Sequence, residues 1–348
     1  MREVMTVSPV STDVKSGVPS DRPTPYAGLT PDLVLDALDA VGIRGDGRLL
    51  ALNSFENRVY QVWCDDAPPV VVKFYRPGRW SDAQIAEEHE LVVDLADAGV
   101  PAVPPLAIGG AHLFAHQGFR YAVFARHGGR APELERGDVL ESLGRFLARL
   151  HTVGAARPFA VRPALSVESF GDESRAFLLE HEFVPADLRE AWTRIVDLAL
   201  ARVRDTFAVA APFATLRLHG DCHGGNMLWT DSGPHFVDFD DARTGPAVQD
   251  LWMLLSGDRA SMEAQLAVLL LGYRSFRAFD LRELALVEAL RTLRLLHYSA
   301  WIARRWDDPA FPAAFPWFGS ERYWQDRILE LREQVALMDE APLAPADV

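Results

Sequence analysis

The stretch LHGDCHGGNML, residues 218–228, combines two histidines, an aspartate and an asparagine with a pair of glycines. His219, Asp221 and His223 alternate, so on an extended chain they would point the same way and form a metal site. In a phosphoryl-transfer loop, by contrast, Asp221 is the base and Asn226 holds magnesium. A structural turn without chemistry is the third interpretation, since Asp and Asn favour turns.

A second run, HFVDFDD at residues 235–241, favours the phosphoryl-transfer interpretation. Its apolar pair is typical of a β-strand that delivers Asp238 at its end. The order D-x-x-x-x-N followed by a second aspartate after a strand is the one that kinases need. The transferred phosphoryl group is densely charged and its metal ions prefer oxygen ligands, which Asn226 and Asp238 supply. The zinc interpretation leaves both of these residues unexplained.

Upstream, the β-rich run PVVVKFY at residues 69–75 carries Lys73 near its end. A strand lysine in this position reaches the phosphates of the nucleotide in kinases. Taken alone, the position of Lys73 is equally consistent with a solvated lysine at the end of a strand. Its order relative to the downstream aspartates favours the phosphate-binding role.

The next stretch, SDAQIAEEHELVVDLADAGVP at residues 81–101, predicts a helix with a capping box at its start. Glu88 falls on the apolar stripe of this helix, and a carboxylate on an inward face needs a partner. We therefore expect Glu88 to hold Lys73. Glu87 and Glu90 are the alternatives, and only the stripe favours Glu88.

The pattern of elements predicts an α+β protein of two lobes. Residues 29–125 are predicted to form a small β-rich lobe that binds the nucleotide. Residues 133–338 are predicted to form a larger α-rich lobe with the catalytic loop and an acceptor groove. Gly128, Gly129 and Pro132 make residues 126–132 a natural hinge. Ser, Pro and Asp enrichment predicts a disordered lead-in at residues 1–28, and residues 339–348 read as a tail.

Composition narrows the cellular setting. The 348 residues carry a net charge of −14, which argues against sequence-independent binding to nucleic acid. The two cysteines form no disulfide framework, so we expect a reducing, cytoplasmic location. No apolar run is long enough for a signal peptide or a transmembrane helix, and we expect a monomer that does not insert into membranes.

The run HGDCHGGN followed by VDFDD resembles the aminoglycoside phosphotransferase and choline kinase branch of the protein-kinase-like fold. Within that branch, the runs ENRVYQV, VVKFYRPGRW, FVDFDDARTGPAVQDLWMLL and RRWDDPAF are similar to a family of bacterial stress-response kinases, and the similarity extends from about Leu29 onward. The resemblance implies a two-lobed kinase-like fold. It also implies a cytoplasmic serine/threonine protein kinase that uses ATP and Mg²⁺ in stress survival.

The resemblance also implies roles for individual residues. Asp221 matches the proton acceptor, Asn226 and Asp238 match the magnesium ligands, and Lys73 matches the lysine at the phosphates. Ser54, in the loop LNSFENRV at residues 52–59, matches a contact on the nucleotide side. We expect ATP to bind in the cleft near residues 124–129.

Two departures from the wider protein kinases affect these expectations. The loop at residues 52–59 is not a G-x-G-x-x-G loop, so backbone amides and the side chains of Ser54 and Asn57 would have to contact the nucleotide. Asp240 stands where the D-F-G motif has glycine, and the run ARTGPAVQD leads straight into a helix. We therefore expect no D-F-G switch and no control by an activation loop.

Several points stay open at the level of sequence. The motifs do not separate a protein acceptor, including the chain itself at Ser8, Ser11 or Thr12, from a small-molecule hydroxyl. A nucleotide-binding module without turnover is a rival, although no catalytic residue is missing. Asp250 is expected to support the catalytic loop by accepting backbone amides and His219 to brace it, whereas Cys222, His223, Asp240 and Asp241 have no assigned role.

Overall fold

The computed structural model describes residues 24–346. Most of the predicted lead-in, residues 1–28, therefore lies outside the described residues. Residues 24–28 form a turn in which Tyr26 is partly buried. The Tyr26 hydroxyl donates to the backbone oxygens of Glu56 and Phe74 at 3.0 and 3.3 Å, which joins this turn to the sheet.

An antiparallel five-stranded sheet forms the N-terminal lobe, with the strand order β1-β2-β3-β5-β4. Its strands are β1 (Gly45–Ala51), β2 (Arg58–Cys64), β3 (Val70–Phe74), β4 (Phe114–His116) and β5 (Phe119–Ala125). Strand β3 lies in the centre and is mostly buried, as expected for a run rich in β-branched residues. Strand β4 starts at Phe114, and just before it His112 Nδ1 lies 3.1 Å from the Pro105 carbonyl oxygen.

Two helices accompany the sheet: α1 (Pro31–Asp39) and α2 (Asp82–Asp97). Thr30 caps α1 by accepting the backbone N–H of Leu33. The predicted capping box of α2 is present, since Ser81 and Gln84 satisfy each other's backbone N–H groups. The capping box fixes the residue at which α2 begins.

The C-terminal lobe is mainly helical. Its helices are α3 (Gly137–Gly154), α4 (Glu173–Glu180), α5 (Arg189–Ala210), α6 (Val248–Trp252), α7 (Arg259–Arg274), α8 (Val287–Ala303), α9 (Ala310–Ala314) and α10 (Glu321–Met338). Helices α3 and α7 pack closely where Gly144 and Gly272 meet, because a Cβ at either glycine would run into the backbone of the other helix. Among residues 24–346, no helix combines the length and the apolar character needed to cross a bilayer.

Four short strands interrupt this helical lobe and hold its functional loops. They are β6 (Leu216–Leu218), β7 (Met227–Thr230), β8 (Gly233–Phe236) and β9 (Arg243–Gly245), with β6 paired to β9 and β7 paired to β8. Both pairs are antiparallel, so the loop at residues 219–226 and the loop at residues 237–242 lie side by side. The fold brings together two motifs that are separate in the sequence.

The segment between the lobes rests against β7. The backbones of Arg130 and Trp229 form an isolated bridge. Gly129 has φ +152°, and a Cβ there would collide with Leu228. Glycine is therefore required at the point where the connecting segment passes over the C-terminal lobe.

Candidate functional site

A cleft of about 420 Å³ opens between the sheet and the C-terminal lobe, a size typical of sites for small ligands. Its lining includes the connecting residues 124–129 and five of the residues predicted from the sequence: Ser54, Lys73, Glu88, Asn226 and Asp238. Asp221 and Asn57 are not part of this lining. Asp221 lies immediately beyond it, in direct contact with Asn226.

Lys73 stands on β3 and carries a buried ammonium group that faces three carboxylates. Its Nζ lies 2.9 Å from Asp238 Oδ1, 3.3 Å from Asp240 Oδ1 and 3.7 Å from Glu88 Oε1. Burial alone would lower the pKa of Lys73, but the three negative charges raise it well above its usual value. Lys73 is therefore protonated at neutral pH and lines the cleft as a cation.

Glu88 is the glutamate of α2 that faces inward. Besides Lys73, it meets Arg162, whose Nη1 lies 3.4 Å from Glu88 Oε2. Glu87 instead accepts backbone N–H groups of residues 160–162, and Glu90 pairs with Arg157 on the surface. The helical stripe in the sequence thus selects the correct glutamate among three neighbours.

Asp250 holds the start of the loop at residues 219–226. Its two carboxylate oxygens accept the backbone N–H groups of His219 and Gly220, each at 2.9 Å. His151 Nε2 lies 3.2 Å from the same carboxylate, and all of these groups are buried. The predicted support of the loop by Asp250 is confirmed.

His219 braces the same loop from inside. Its Nε2 donates to the Val237 carbonyl at 3.0 Å, and its Nδ1 accepts the backbone N–H of Asp221 at 3.4 Å, which fixes the tautomer. Both ring nitrogens are therefore occupied. Within the described residues 24–346, no group of three or more His, Cys, Asp or Glu side chains is arranged to hold a metal ion, so the zinc interpretation finds no support.

Asp221 engages both of its carboxylate oxygens. Oδ1 accepts a hydrogen bond of 2.7 Å from Arg294 Nη1, while Oδ2 lies 3.4 Å from His223 Nε2. Burial would raise the pKa of Asp221, but the His223 hydrogen bond and the Arg294 charge outweigh it and lower the pKa to about 2. Asp221 is therefore ionised at neutral pH and able to accept a proton.

His223 and Cys222, whose roles the sequence left open, have different environments beside Asp221. His223 Nδ1 accepts the backbone N–H of Gly225 at 2.9 Å, so its Nε2 carries the hydrogen that faces Asp221. Cys222 is fully buried, and burial raises the pKa of its thiol well above the usual value. Cys222 is thus a packing residue rather than a nucleophile.

Asn226 and Asp238 present oxygen atoms to the cleft. The Asn226 side-chain nitrogen donates to the backbone oxygen of Asp221 at 2.9 Å, which leaves its amide oxygen without a donor among the described residues. Asp238 adopts a left-handed conformation with φ +59°, and its side chain is half exposed although Oδ1 contacts Lys73. Two such oxygens suit Mg²⁺, which keeps few protein ligands and takes the rest from water and phosphate.

Asp240 and Asp241, whose roles the sequence left open, both form ion pairs with Arg79 of the N-terminal lobe. Arg79 donates to Asp240, and its other Nη lies 2.8 Å from Asp241 Oδ1. Arg243 also reaches Asp241 at 2.8 Å. Two guanidinium groups therefore neutralise Asp241, one from the N-terminal lobe and one from two residues further along the chain.

Three features were missed at the level of sequence. Arg294 on α8 contacts Asp221, and Arg162 contacts Glu88. Asn57 is buried, and its Oδ1 accepts the backbone N–H of Arg76 at 3.0 Å instead of facing the cleft. No local sequence pattern predicts these contacts. Those of Arg294 and Arg162 join segments that are far apart, and that of Asn57 depends on the direction in which a loop side chain turns.

Known proteins are similar to this chain in sequence and in fold. The sequence profile of the phosphotransferase enzyme family, APH, matches residues 48–287. The chain belongs to the phosphotransferase enzyme family. The expected α+β, two-lobed fold class is confirmed, and the matched residues include every cleft residue named above from Ser54 to Asp238.

Curated relatives are similar to this chain over most of their length. Stress response kinase A of Salmonella choleraesuis strain SC-B67 is 46% identical over 324 residues, which cover 93% of this chain and 98% of the relative. Serine/threonine protein kinase RdoA of Salmonella typhimurium strain LT2 gives the same values. Stress response kinase A of Escherichia coli K12 is 46% identical over 318 residues, with 91% and 96% covered. The resemblance to bacterial stress-response kinases is thereby confirmed.

Solved structures of phosphotransferases share the fold at low identity. Amicoumacin kinase hAmiN, in complex with AMP-PNP, Ca²⁺ and Ami, has a TM-score of 0.68 at 18% identity, covering 91% of this chain and 95% of that one. A microcompartment-associated aminopropanol kinase has a TM-score of 0.66 at 20% identity, covering 89% and 97%. These similarities concern the fold alone.

Proposed function

We propose that this phosphotransferase is an ATP- and Mg²⁺-dependent serine/threonine protein kinase of the stress-response type. One observation carries the proposal: Lys73, Asn226 and Asp238 line one cleft, with Asp221 at its edge against Asn226, although up to 165 positions separate them. Phosphoryl transfer needs a cation at the phosphates, oxygen ligands for a metal and a carboxylate at the acceptor hydroxyl. This arrangement offers all three.

ATP is proposed to lie along residues 124–129, with its phosphates directed toward Lys73. Lys73 keeps its charge because the neighbouring carboxylates stabilise it. Ser54, from the loop between β1 and β2, lines the same cleft and is the proposed contact on the nucleotide side. Asn57 acts indirectly in this proposal, since its bond to the Arg76 backbone fixes the loop that carries Ser54.

Asn226 and Asp238 are the proposed ligands of Mg²⁺. The ion, when bound, neutralises the charge that develops on the phosphate oxygens during transfer. The hydrogen bond from Asn226 to the Asp221 backbone orients its amide so that the oxygen remains available. Asp238 keeps one oxygen for Lys73 and offers the other to the cleft.

Asp221 is the proposed proton acceptor. The acceptor hydroxyl oxygen forms a bond to the γ-phosphorus, the bond to the bridging oxygen breaks, and ADP leaves. The hydroxyl proton passes to Asp221, whose ionised carboxylate is oriented by Asn226 and by the loop that Asp250 supports.

We propose that this kinase needs no activation-loop switch. Asp240 is buried and ion-paired with Arg79 and Lys73, so the segment after Asp238 is locked in place. Strand β9 then leads within a few residues to α6. The segment that controls many protein kinases is thus short here and is held by ion pairs to the N-terminal lobe.

A protein acceptor is supported by the relatives at 46% identity that are named stress response kinase A and serine/threonine protein kinase RdoA. Both cysteines are free thiols, which fits a reducing compartment. The second candidate is a small-molecule hydroxyl kinase, favoured by the shared fold with amicoumacin and aminopropanol kinases. Both candidates use the same catalytic residues.

The experiment that separates them supplies Mg²⁺ and radiolabelled ATP with two panels of acceptors. One panel holds proteins with exposed serine and threonine, including the chain itself, and the other holds amino alcohols, sugars and hydroxy acids. Label on protein serine or threonine supports the proposal. Label confined to small molecules would overturn it in favour of the second candidate, and ATP binding without transfer to either panel would indicate a binding module.

A further inference from the structure

The acceptor side of the cleft carries a cation beside the proposed base. Arg294, on α8, donates from Nη1 to Asp221 Oδ1 at 2.7 Å, and its side chain is 41% exposed. Among the described residues, Asp221 is the single carboxylate that pairs with it. A guanidinium has five N–H donors, so most of those on Arg294 remain available to a molecule that binds at Asp221.

The neighbouring arginines differ from Arg294 in this respect. Arg291, one turn earlier on α8, pairs with Glu288 at 2.9 Å and packs over Trp252. Arg327, on α10, pairs with Glu330 of its own helix and lies over the Tyr323 ring. Arg294 is therefore the arginine of this group whose charge is directed at the site of transfer.

The carboxylates around the transfer site, in turn, are each paired with a cation. The pairs are Asp221 with Arg294, Asp238 with Lys73, Asp240 with Arg79, and Asp241 with Arg243. A cationic acceptor, such as an amino alcohol or an aminosugar, would have to compete with these cations. An anionic group on the acceptor would instead find a guanidinium with unused donors.

A group of aromatic side chains follows Arg294 on α8 and reaches the boundary between the two lobes. Tyr298, one turn further along α8, is stacked on Trp301 with ring centroids 5.8 Å apart. Trp301 contacts Phe315, against which the partly exposed rings of Phe55 and Trp317 pack at 5.1 and 5.7 Å. The exposed rings of Phe55 and Trp317 are of the aromatic type that anchors polypeptide interfaces.

We propose that Arg294 is a specificity-determining residue that selects acceptors with an acidic side chain next to the phosphorylated hydroxyl. This inference rests on the proposed kinase function and names its acceptor class. When the hydroxyl binds Asp221, a neighbouring carboxylate lies within reach of Arg294, because both residues already contact each other. The net charge of −14 repels acidic peptides only weakly, because salt screens the charges that lie more than about 8 Å from the bound peptide.

The test uses three peptides that differ only beside a central serine, where they carry Asp, Ala or Lys. We expect the native protein to phosphorylate the Asp peptide with a kcat/KM about tenfold above that of the Lys peptide, the typical value of one charge-assisted contact. Arg294→Ala should abolish the difference, and Arg294→Glu should reverse it. Arg322→Glu, on a side chain that is 90% exposed on α10, matches the change in net charge and should leave the preference intact.

The KM for ATP and the thermal unfolding of each variant are measured in parallel. An acidic preference that persists in Arg294→Glu would overturn the inference. So would an equal loss of activity toward all three peptides, because Arg294 would then serve the phosphoryl group rather than the acceptor. Either result leaves the proposed kinase activity standing.

A second arm separates failure of the inference from failure of the proposed function. The same proteins receive hydroxy acids and amino alcohols as acceptors. Transfer to these molecules without transfer to peptides would overturn the protein-kinase proposal. Within that outcome, a preference for hydroxy acids that reverses in Arg294→Glu supports the role of Arg294, and a preference of the native protein for amino alcohols contradicts it.

Discussion

Lys73 and Asp238, 165 positions apart, form an ion pair of 2.9 Å across the cleft. The pair joins β3 of the N-terminal lobe to the loop that follows β8 of the C-terminal lobe. It therefore sets the position of the proposed phosphate-binding cation relative to the proposed metal ligand. Substitution of Asp238 should affect catalysis more than stability, because its side chain is half exposed.

Asp238→Ala should remove activity and preserve the fold. The substitution deletes a proposed metal ligand, and we expect turnover to fall by roughly a hundredfold or more. Asp240 and Glu88 still neutralise Lys73, so the free energy of unfolding should change by about 1 kcal/mol or less. Steady-state phosphorylation and urea unfolding check the two expectations, and near-normal turnover in the variant would contradict the metal-binding role.

Glu88→Gln should weaken catalysis, whereas Glu90→Gln should not. Glu88 is buried against Lys73 and Arg162, so its loss changes the charge balance behind the phosphate-binding lysine. Glu90 pairs with Arg157 at the surface, where one ion pair contributes little. We expect kcat/KM for ATP to fall about tenfold in the first variant and to stay unchanged in the second. Equal effects of the two substitutions would show that Glu88 has no special role.

Asp250→Asn should destabilise the loop that carries Asp221. The aspartate accepts two backbone N–H groups, and an asparagine would direct its NH₂ at one of them. A buried donor without an acceptor costs about 1–3 kcal/mol, and we expect that loss in urea unfolding together with a lower kcat. A stable variant with normal kcat would mean that the loop holds its shape without Asp250.

Glu283 should make stability depend on pH. Burial raises its pKa from 4.5 to about 7, although it accepts the backbone N–H of Val248 at the start of α6. Between these pH values the folded protein retains a proton that the unfolded chain has lost. The contribution of Glu283 is therefore complete below about pH 4.5 and declines as the pH rises through 7.

Glu283→Gln keeps an acceptor for Val248 and removes this titration. Relative to the variant, the native protein should lose up to about 3 kcal/mol of unfolding free energy between pH 4.5 and pH 8. Urea unfolding of both proteins across this range measures the difference. Parallel stability curves would show that Glu283 keeps its ordinary pKa in the folded protein.

Short-range patterns predicted much of the site. The spacing of Asp221 and Asn226 is local, and a loop of this length brings the two side chains into contact. Helical periodicity placed Glu88 inward among three glutamates, and strand pattern placed Lys73 at the end of a buried strand. These predictions depend on local periodicity and loop length.

Long-range contacts could not be predicted in this way. Arg294 reaches Asp221 from 73 positions away, and Arg79 reaches Asp240 from 161 positions away. Such pairs depend on how α8 and the N-terminal lobe pack, which no single segment encodes. The direction of Asn57 was also unpredictable, because a loop side chain turns inward only when a distant backbone N–H, here that of Arg76, is there to meet it.

The most direct test of the proposed mechanism is the mass of an acceptor protein after incubation with Mg²⁺, ATP and either the native protein or Asp221→Asn. Asparagine has nearly the same shape as aspartate but cannot take up the hydroxyl proton. We expect phosphate on the acceptor with the native protein and none with the variant, although the variant still binds ATP. An equal mass gain with both proteins would contradict the assignment of Asp221 as the base and, with it, the catalytic arrangement proposed for this cleft.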